Sequence, residues 1–288
     1  MRKLTLCNPC NRCNPRNLCF DLSKVTNICA TLPTMIELKN VSKRYGKIKV
    51  LSGISFRIDP GEFVCITGPS GAGKSTLLHL LTGAEDMTKG KIEVDGVDLR
   101  LIPPVALQMF RRKLGIVFQD YKLLRNRTVA ENIVFPLEVC GVPNAQIEKR
   151  VQQVLAMVDL TKHAQTLPDA LSGGEKARTA IGRAIVHDPI IILADEPTGN
   201  IDPNQSVNIM NLFKKIHDSG TTIVIATHDS GLVDAIKPRV IQLEEGEITR
   251  DSIGTYARSQ KASPKRATAP SSTVSGTRKK VKVTGISG

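Results

Sequence analysis

Tryptophan is absent from the sequence, and 3 tyrosines and 7 phenylalanines are its whole set of ring-bearing apolar residues. Proteins that hold single-stranded nucleic acid stack its bases on such side chains, so that class has little to build with here. No apolar run approaches the roughly 20 residues that a membrane-spanning helix needs. The N-terminal residues also lack the continuous apolar stretch of a secretory signal. A soluble intracellular protein is the expectation. The rest is ordinary: 288 residues, 41% hydrophobic and 23% charged, which excludes wholesale disorder and suffices for a large core in one or two domains.

A formal charge of +13 first points to nucleic acid, but the charge is unevenly placed. Residues 1–34 carry a net +4, residues 251–288 a net +7, and residues 35–250 only +2. The basic character belongs to the two ends. The C-terminal stretch, rich in Ser, Thr, Gly, Pro, Ala and basic residues, has too few large apolar side chains to offset its chain entropy, and reads as a disordered tail. Two accounts of it stand: a solubilising tail, or attachment to an anionic membrane surface, where each basic residue contributes about 1 kcal/mol.

Five of the 7 cysteines (Cys7, Cys10, Cys13, Cys19 and Cys29) crowd the N-terminal end. The run Cys7-x-x-Cys10-x-x-Cys13 looks like part of an iron–sulfur or zinc set, yet the gap to Cys19 is too long, no Pro follows and no His is near. The favoured reading is a disordered extension over 1–34, with Met35 opening the functional protein. Cys65 and Cys140 read as small core residues.

The apolar run Phe63–Thr67 predicts a buried strand. It leads into Gly68-Pro69-Ser70-Gly71-Ala72-Gly73-Lys74-Ser75-Thr76 and then a helical run from Leu77. This is a GxxxxGK[ST] phosphate loop in its proper context of strand, loop and helix. Its glycines let successive N–H groups curl around a phosphate, and the helix start adds its positive dipole end. Lys74 can reach the β- and γ-phosphates of a nucleotide, Ser75 can ligate Mg²⁺, and Thr76 can contact the α-phosphate.

A second strand, Ile190–Ala194, ends in Asp195-Glu196. A buried parallel strand delivers such carboxylates to the carboxyl edge of its sheet, beside the phosphates. Two adjacent acids then divide the work: Asp195 holds Mg²⁺ and Glu196 polarises the attacking water as general base.

Between the two lies Leu171-Ser172-Gly173-Gly174-Glu175, and with it the chain resembles the ATP-binding-cassette ATPases over about residues 35–250. The resemblance implies further roles. Tyr45 would stack on adenine, and Gln119 would sense Mg²⁺ and the attacking water. Asn200-Ile201-Asp202 would form the D-loop, and His228 would contact the γ-phosphate. Taken singly, each has a plainer reading: Tyr45 as a loop aromatic, Gln119 as an ordinary polar residue after a strand, His228 as a core or capping histidine. Ser172 also reads as a helix N-cap with Glu175 completing a capping box, and we assign it both roles. In this family the signature of one cassette closes over ATP held by the phosphate loop of another. One set of motifs therefore implies a homodimer around two ATP molecules. Lys176 and Ala177 depart from the frequent Gln-Gln, and Gly182 replaces a common Ala at some cost in helix propensity.

The implied fold class is α/β, an ABC-type P-loop NTPase. A RecA-like core lobe would combine with a β-rich N-terminal subdomain (Met35–Ile66, with more strand near Lys91–Leu99). A helical insertion, about 121–175, would divide the core. The expected units are 1–34, 35–250 and 251–288. After Gln119, transporter-type cassettes dock a membrane partner, and here that segment holds Tyr121, Leu123 and Leu124. A solvated loop is the plainer reading, but it would expose those side chains.

The wording Arg111–Leu124, Arg127–Val129, Glu131-Asn132, Gly68–Gly73 and Leu193–Asn200 looks very like the FtsE family of cell-division ATP-binding proteins. That resemblance implies an ATPase at the cytoplasmic face of the membrane, coupled to an FtsX-like partner that regulates cell-wall hydrolysis. Lipoprotein-release and macrolide-export cassettes share part of this wording and are the alternative. A nucleic-acid-directed cassette is supported only by the tail, and a binding-only module is opposed by the retained catalytic residues.

Overall fold

The computed structural model describes residues 34–253, apart from 200, 230, 232, 234 and 235. The cysteine-rich extension as far as residue 33, the residues after Ile253, and Asn200 lie outside the described residues.

Two sheets organise what is described. The first takes β1 (Ile36–Tyr45), β2 (Ile48–Ile58), β4 (Lys89–Val94) and β5 (Val97–Asp98) in the order β2-β1-β4-β5, antiparallel throughout. The second orders β10 (Glu247–Ile253), β9 (Arg239–Glu244), β3 (Phe63–Thr67), β8 (Thr222–Thr227), β7 (Ile191–Asp195) and β6 (Leu114–Val117) as β10-β9-β3-β8-β7-β6. Its strands are parallel except for β10 on the edge.

The period of two along the central strands explains the layering. In β3, Phe63 and Cys65 face one core while Val64 and Ile66 face another; β7 and β8 divide likewise, Ile192 and Ile223 from Leu193 and Val224. The first core is filled by α3 (Val129–Val139), α4 (Asn144–Met157), α5 (Gly173–Ile185) and α6 (Pro203–Asp218). The second lies between the two sheets and takes the apolar side of α1 (Lys74–Leu81) and Phe110 of α2 (Pro104–Arg111). Both faces of the parallel sheet are therefore covered, and short, mostly apolar strands suit that setting.

The segment after Gln119 is closely bound rather than a solvated loop. Tyr121 and Lys122 both take positive φ, and the Arg183 guanidinium on α5 donates to their carbonyls at 2.6 and 2.7 Å. Fully buried Asn132 accepts from Leu124 N at 2.8 Å and donates to the Leu124, Arg127 and Thr128 carbonyls. Tyr121 is buried, while Leu123 and Leu124 are half-buried.

Three expectations need correction. The basic tail cannot begin at residue 251, because Asp251–Ile253 complete β10 and Asp251 forms a two-point ion pair with Arg239 at 2.8 Å. Beyond Ile253 the sequence then holds eight basic residues and no acid. Cys140 is not a core residue: it is half-buried at the C-terminal end of α3, whereas Cys65 is fully buried and its thiol is pushed up to about 12 by that burial. Gly182 is explained by packing rather than by a tolerated loss of propensity. A Cβ there would stand 3.0 Å from Ile133 Cδ1 and 3.4 Å from Val154 Cγ1, so glycine lets α3 and α4 seat on α5.

Helix propensity and packing predict opposite signs at this position. Gly182→Leu gains about 1 kcal/mol of intrinsic propensity, but we expect overpacking to dominate and lower stability by about 1–3 kcal/mol. The urea midpoint of the variant checks this, and a rise would mean that propensity prevails.

Candidate functional site

Register brings the site together. Val117 lies opposite Ala194, Asp195 opposite Ala226, and Thr67 opposite Thr227. The residues that leave these strands therefore emerge at one carboxyl edge: the phosphate loop from β3, Gln119 two positions beyond β6, Glu196 beyond β7 and His228 beyond β8.

The loop itself is a left-handed construction. Gly68 has φ +149°, and a Cβ on it would lie 2.1 Å from the Leu243 carbonyl oxygen. Gly73, at φ +99°, caps α1 where a Cβ would meet Leu51 Cδ2 at 2.7 Å. Both positions need glycine for conformation and for space. Pro69, Ser70 and Gly71 form the exposed rim, while Ala72 is buried and donates its N–H to the Pro69 carbonyl at 3.2 Å.

Lys74 is only 5% exposed and reaches back across the loop, its ammonium donating to the Gly68 and Pro69 carbonyls at 3.0 and 3.1 Å. Its Nζ lies 3.8 Å from Glu196 Oε1, and His228 Nδ1 lies 3.1 Å from the same oxygen. Glu196 takes φ +43°, an uncommon conformation for a non-glycine residue, stabilised by its N–H on the Ala226 carbonyl at 2.9 Å. One carboxylate oxygen thus faces a buried cation and a ring nitrogen at once.

Asp195 is different. Burial pushes its carboxyl above the usual carboxylate range; a hydrogen bond with Ser75 opposes that shift and the neighbouring Glu196 charge adds to it. Its Oδ1 is buried with no hydrogen-bond partner. An orphaned hard oxygen beside a serine hydroxyl is a donor set that suits Mg²⁺, which takes one or two carboxylates and completes its shell with phosphate and water. Among the described residues no three His, Cys, Asp or Glu side chains gather into a larger metal cluster. Gln119 is exposed beyond β6.

Tyr45 ends β1, 44% exposed, and its hydroxyl donates to Glu85 with the Thr76 side chain also in hydrogen-bonding contact. The bond to Glu85, with some burial, raises the phenol above its ordinary value. The ring therefore borders the first turn of α1.

Ile201 and Pro203, on either side of Asp202, line one cavity with Glu196 and His228, whereas Ser172, Gly173 and Gly174 do not line that cavity. Ser172 caps α5 in a reciprocal capping box, its N–H donating to Glu175 Oε2 at 2.8 Å. That bond, with one from the Ser172 hydroxyl, holds the Glu175 carboxyl below its usual range. Asp202 caps α6 by accepting from Gln205 N at 3.0 Å, and a Cβ on Gly174 would meet Gln205 Oε1 at 2.9 Å. The hydrogen bonds of Ser172 and Asp202 stay within α5 and α6, and Arg178 joins the two helices by donating to Gln205 Oε1 at 3.1 Å. Lys43, Glu85, Arg183 and Gln205 were not singled out from the sequence. Only Lys43 carries a signal there, standing two residues before Tyr45 on the same face of one strand.

A family model described as ABC transporter matches residues 51–199. The cell division ATP-binding protein FtsE of Bacillus subtilis (strain 168) is 49% identical over 224 residues, which is 77% of this chain and 98% of that protein. The methionine import ATP-binding protein MetN of Clostridium acetobutylicum is 45% identical over 215 residues, 74% of this chain and 67% of that protein. Among solved structures, the dimeric post-hydrolysis state of the ATP-binding cassette MJ0796 bound to ADP and Pi gives a TM-score of 0.70 at 36% identity, covering 76% of this chain and 98% of that one. On the agreement of this fold, this convergence of motifs and these identities, the chain belongs to the ABC transporter family and is an ABC-type ATPase.

Proposed function

We propose that the chain is an FtsE-like ATPase subunit that couples ATP-driven dimer closure to an FtsX-like membrane partner regulating cell-wall hydrolysis in bacterial cell division. The observation that carries this reading is the identity to FtsE over nearly its whole length, joined to the convergence of Lys74, Glu196 and His228 at one sheet edge.

Each group has a task. Lys74, two of its donors now on loop carbonyls, turns to the β- and γ-phosphates of ATP as the loop N–H groups receive them. Ser75, Asp195 and Gln119 would hold Mg²⁺, which when bound neutralises charge on the transferred phosphoryl group. Glu196 orients and deprotonates the attacking water, and His228 steadies the γ-phosphate beside it. Tyr45 stacks on adenine. Ser172, Gly173 and Gly174 offer their helix N-terminus to ATP bound by a second copy, with Asp202 at the same interface. That the Ser172 cap is satisfied by its own Glu175, not by the phosphate loop of the same chain, supports a site completed by a partner.

Docking is supported by a groove of about 500 Å³ lined by Leu124, Phe135, Pro136, Val139 and Cys140 beside the segment that follows Gln119. No helix among the described residues is long and apolar enough to cross a membrane, so attachment would be peripheral, at the cytoplasmic face. The eight basic residues beyond Ile253 support added attraction to anionic lipid there. A second reading, an ATPase subunit of a solute or lipoprotein transporter, is favoured by the identity to MetN. The membrane protein that copurifies distinguishes the two.

Three outcomes test this assignment. Glu196→Gln should bind ATP, accumulate as an ATP-bound dimer and lose turnover by roughly 100-fold or more; turnover near wild type in a purified assay removes Glu196 as the base. Asp195→Asn should raise the stability of the nucleotide-free, metal-free protein. A carboxyl held above its ordinary range binds its proton more tightly when folded, so the wild-type fold loses stability as pH rises from the usual carboxylate range through the raised value. Denaturation midpoints against pH should show that loss in the wild type and a flatter line in the variant. Val139→Asp, in the groove, should reduce copurification of the membrane partner while leaving ATP binding intact, and undiminished copurification would move the docking surface elsewhere.

A further inference from the structure

Tyr45 is the last residue of β1, paired with Ile48 of β2. The pairing of β1 with β2 shifts register between Val41 and Lys43 and again between Lys43 and Arg44, so only Arg44 and Tyr45 stay in the ladder beyond the last shift. Side chains reinforce so short a hold. Glu85, in the segment after α1, accepts from the Tyr45 hydroxyl through Oε2, and the same oxygen lies 3.1 Å from Lys43 Nζ. Its other oxygen lies 3.5 Å from His79 Nδ1 on α1. Lys43, with only 12% of its side chain exposed, also donates to the Asp86 carbonyl at 2.7 Å, and its Nζ stands 4.8 Å from the centroid of the Tyr45 ring. Two backbone links, Arg44 N to Thr88 Oγ1 at 3.0 Å and Thr88 N to the Ser42 carbonyl at 2.9 Å, fasten the strand end to the same segment.

We infer that Glu85 is a positioning residue for nucleotide binding: it fixes the Tyr45 ring against α1, while Lys43 takes one face of the ring and leaves the other for the adenine of ATP. The inference rests on the proposed stacking role of Tyr45 and deepens it. One carboxylate joins the strand end that carries the base platform to the helix whose first turn carries Lys74, Ser75 and Thr76. Base and phosphates are then received on one frame. A ring tethered at its hydroxyl has already lost the rotational freedom that stacking would otherwise cost, so the tether strengthens binding without touching ATP. The Lys43 cation on one face adds a cation–π contact that excludes a base from that side.

Steady-state hydrolysis by the full chain tests this with Glu85→Ala, Glu85→Gln, Tyr45→Phe, Tyr45→Ala and the double variant Tyr45→Phe/Glu85→Ala. Glu85→Ala and Tyr45→Phe should each raise KM for ATP by roughly 3- to 10-fold, the effect of one lost hydrogen bond, with kcat within about twofold. The double variant should be no worse than either single one, since both remove the same contact. Glu85→Gln keeps an acceptor oxygen and should recover most of the wild-type KM. Additive effects in the double variant, or a fall in kcat at constant KM in Glu85→Ala, overturn the inference. Tyr45→Ala separates it from the reading beneath it. An unchanged KM there removes adenine stacking altogether, whereas a raised KM there with an unchanged KM in Glu85→Ala removes the positioning role alone.

Discussion

Everything in this ATPase depends on the parallel register of β3, β6, β7 and β8. Their hydrogen-bond ladders set Thr67 level with Thr227, Asp195 level with Ala226 and Val117 level with Ala194, so the four strand ends lie within two residues of one another along the sheet. Four unrelated stretches of chain consequently release their next residues at the same sheet edge. No single one of these groups has a distinctive environment by itself. Glu196 acquires its setting because β3 supplies Lys74 on one side and β8 supplies His228 on the other. A slip of one residue in any of these strands would turn its side chains to the opposite face and separate the phosphate loop from its carboxylates.

That register is in turn held by burial on both faces. Strands so apolar can form only between two cores, and the alternation of Phe63, Cys65 against Val64, Ile66 supplies each core from the same five residues. The helices outside the sheet have different tasks. α1 stays with the phosphate loop, whereas α5 and α6 are joined to each other through Gln205, Arg178 and the close approach at Gly174. The Ser172 cap keeps its hydrogen bonds within α5, although Ala177, Ala180 and Ile181 of that helix share the first core with the sheet. That arrangement suits a site that closes when a second copy arrives.

Most of the placement of the candidate site was legible in the sequence because its residues lie in short contiguous motifs whose spacing has a physical cause. The strand Phe63–Thr67 and the helix after it follow from an apolar run and a glycine-rich loop, and the structure has both at those positions. The strand before Asp195 is shifted by only one residue, ending on Asp195 itself, which still pairs with Ala226. The Ser172–Glu175 capping box is local as well and forms as expected. What could not be read is non-local. Glu85 meets Tyr45 across 40 residues of sequence with no motif to announce it. Gly182 looked like a weakness until Ile133 and Val154 were seen to occupy the space of its missing side chain. Asp251–Ile253 resembled the polar tail in composition, because an edge strand exposed on alternate residues needs no apolar run.

The central claim is that the catalytic edge of one copy is completed by the Ser172 helix terminus of another. Mixing two inactive variants measures this most directly: Lys74→Ala, damaged in its phosphate loop, with Ser172→Arg, damaged in its signature. In a two-fold sandwich the mixed dimer pairs both lesions in one site and leaves the other wholly intact. The account predicts that hydrolysis returns on mixing, above either variant alone. If each site were built within one chain, every site in the mixture would carry a lesion, and activity that stays at the level of the separate variants would contradict the account.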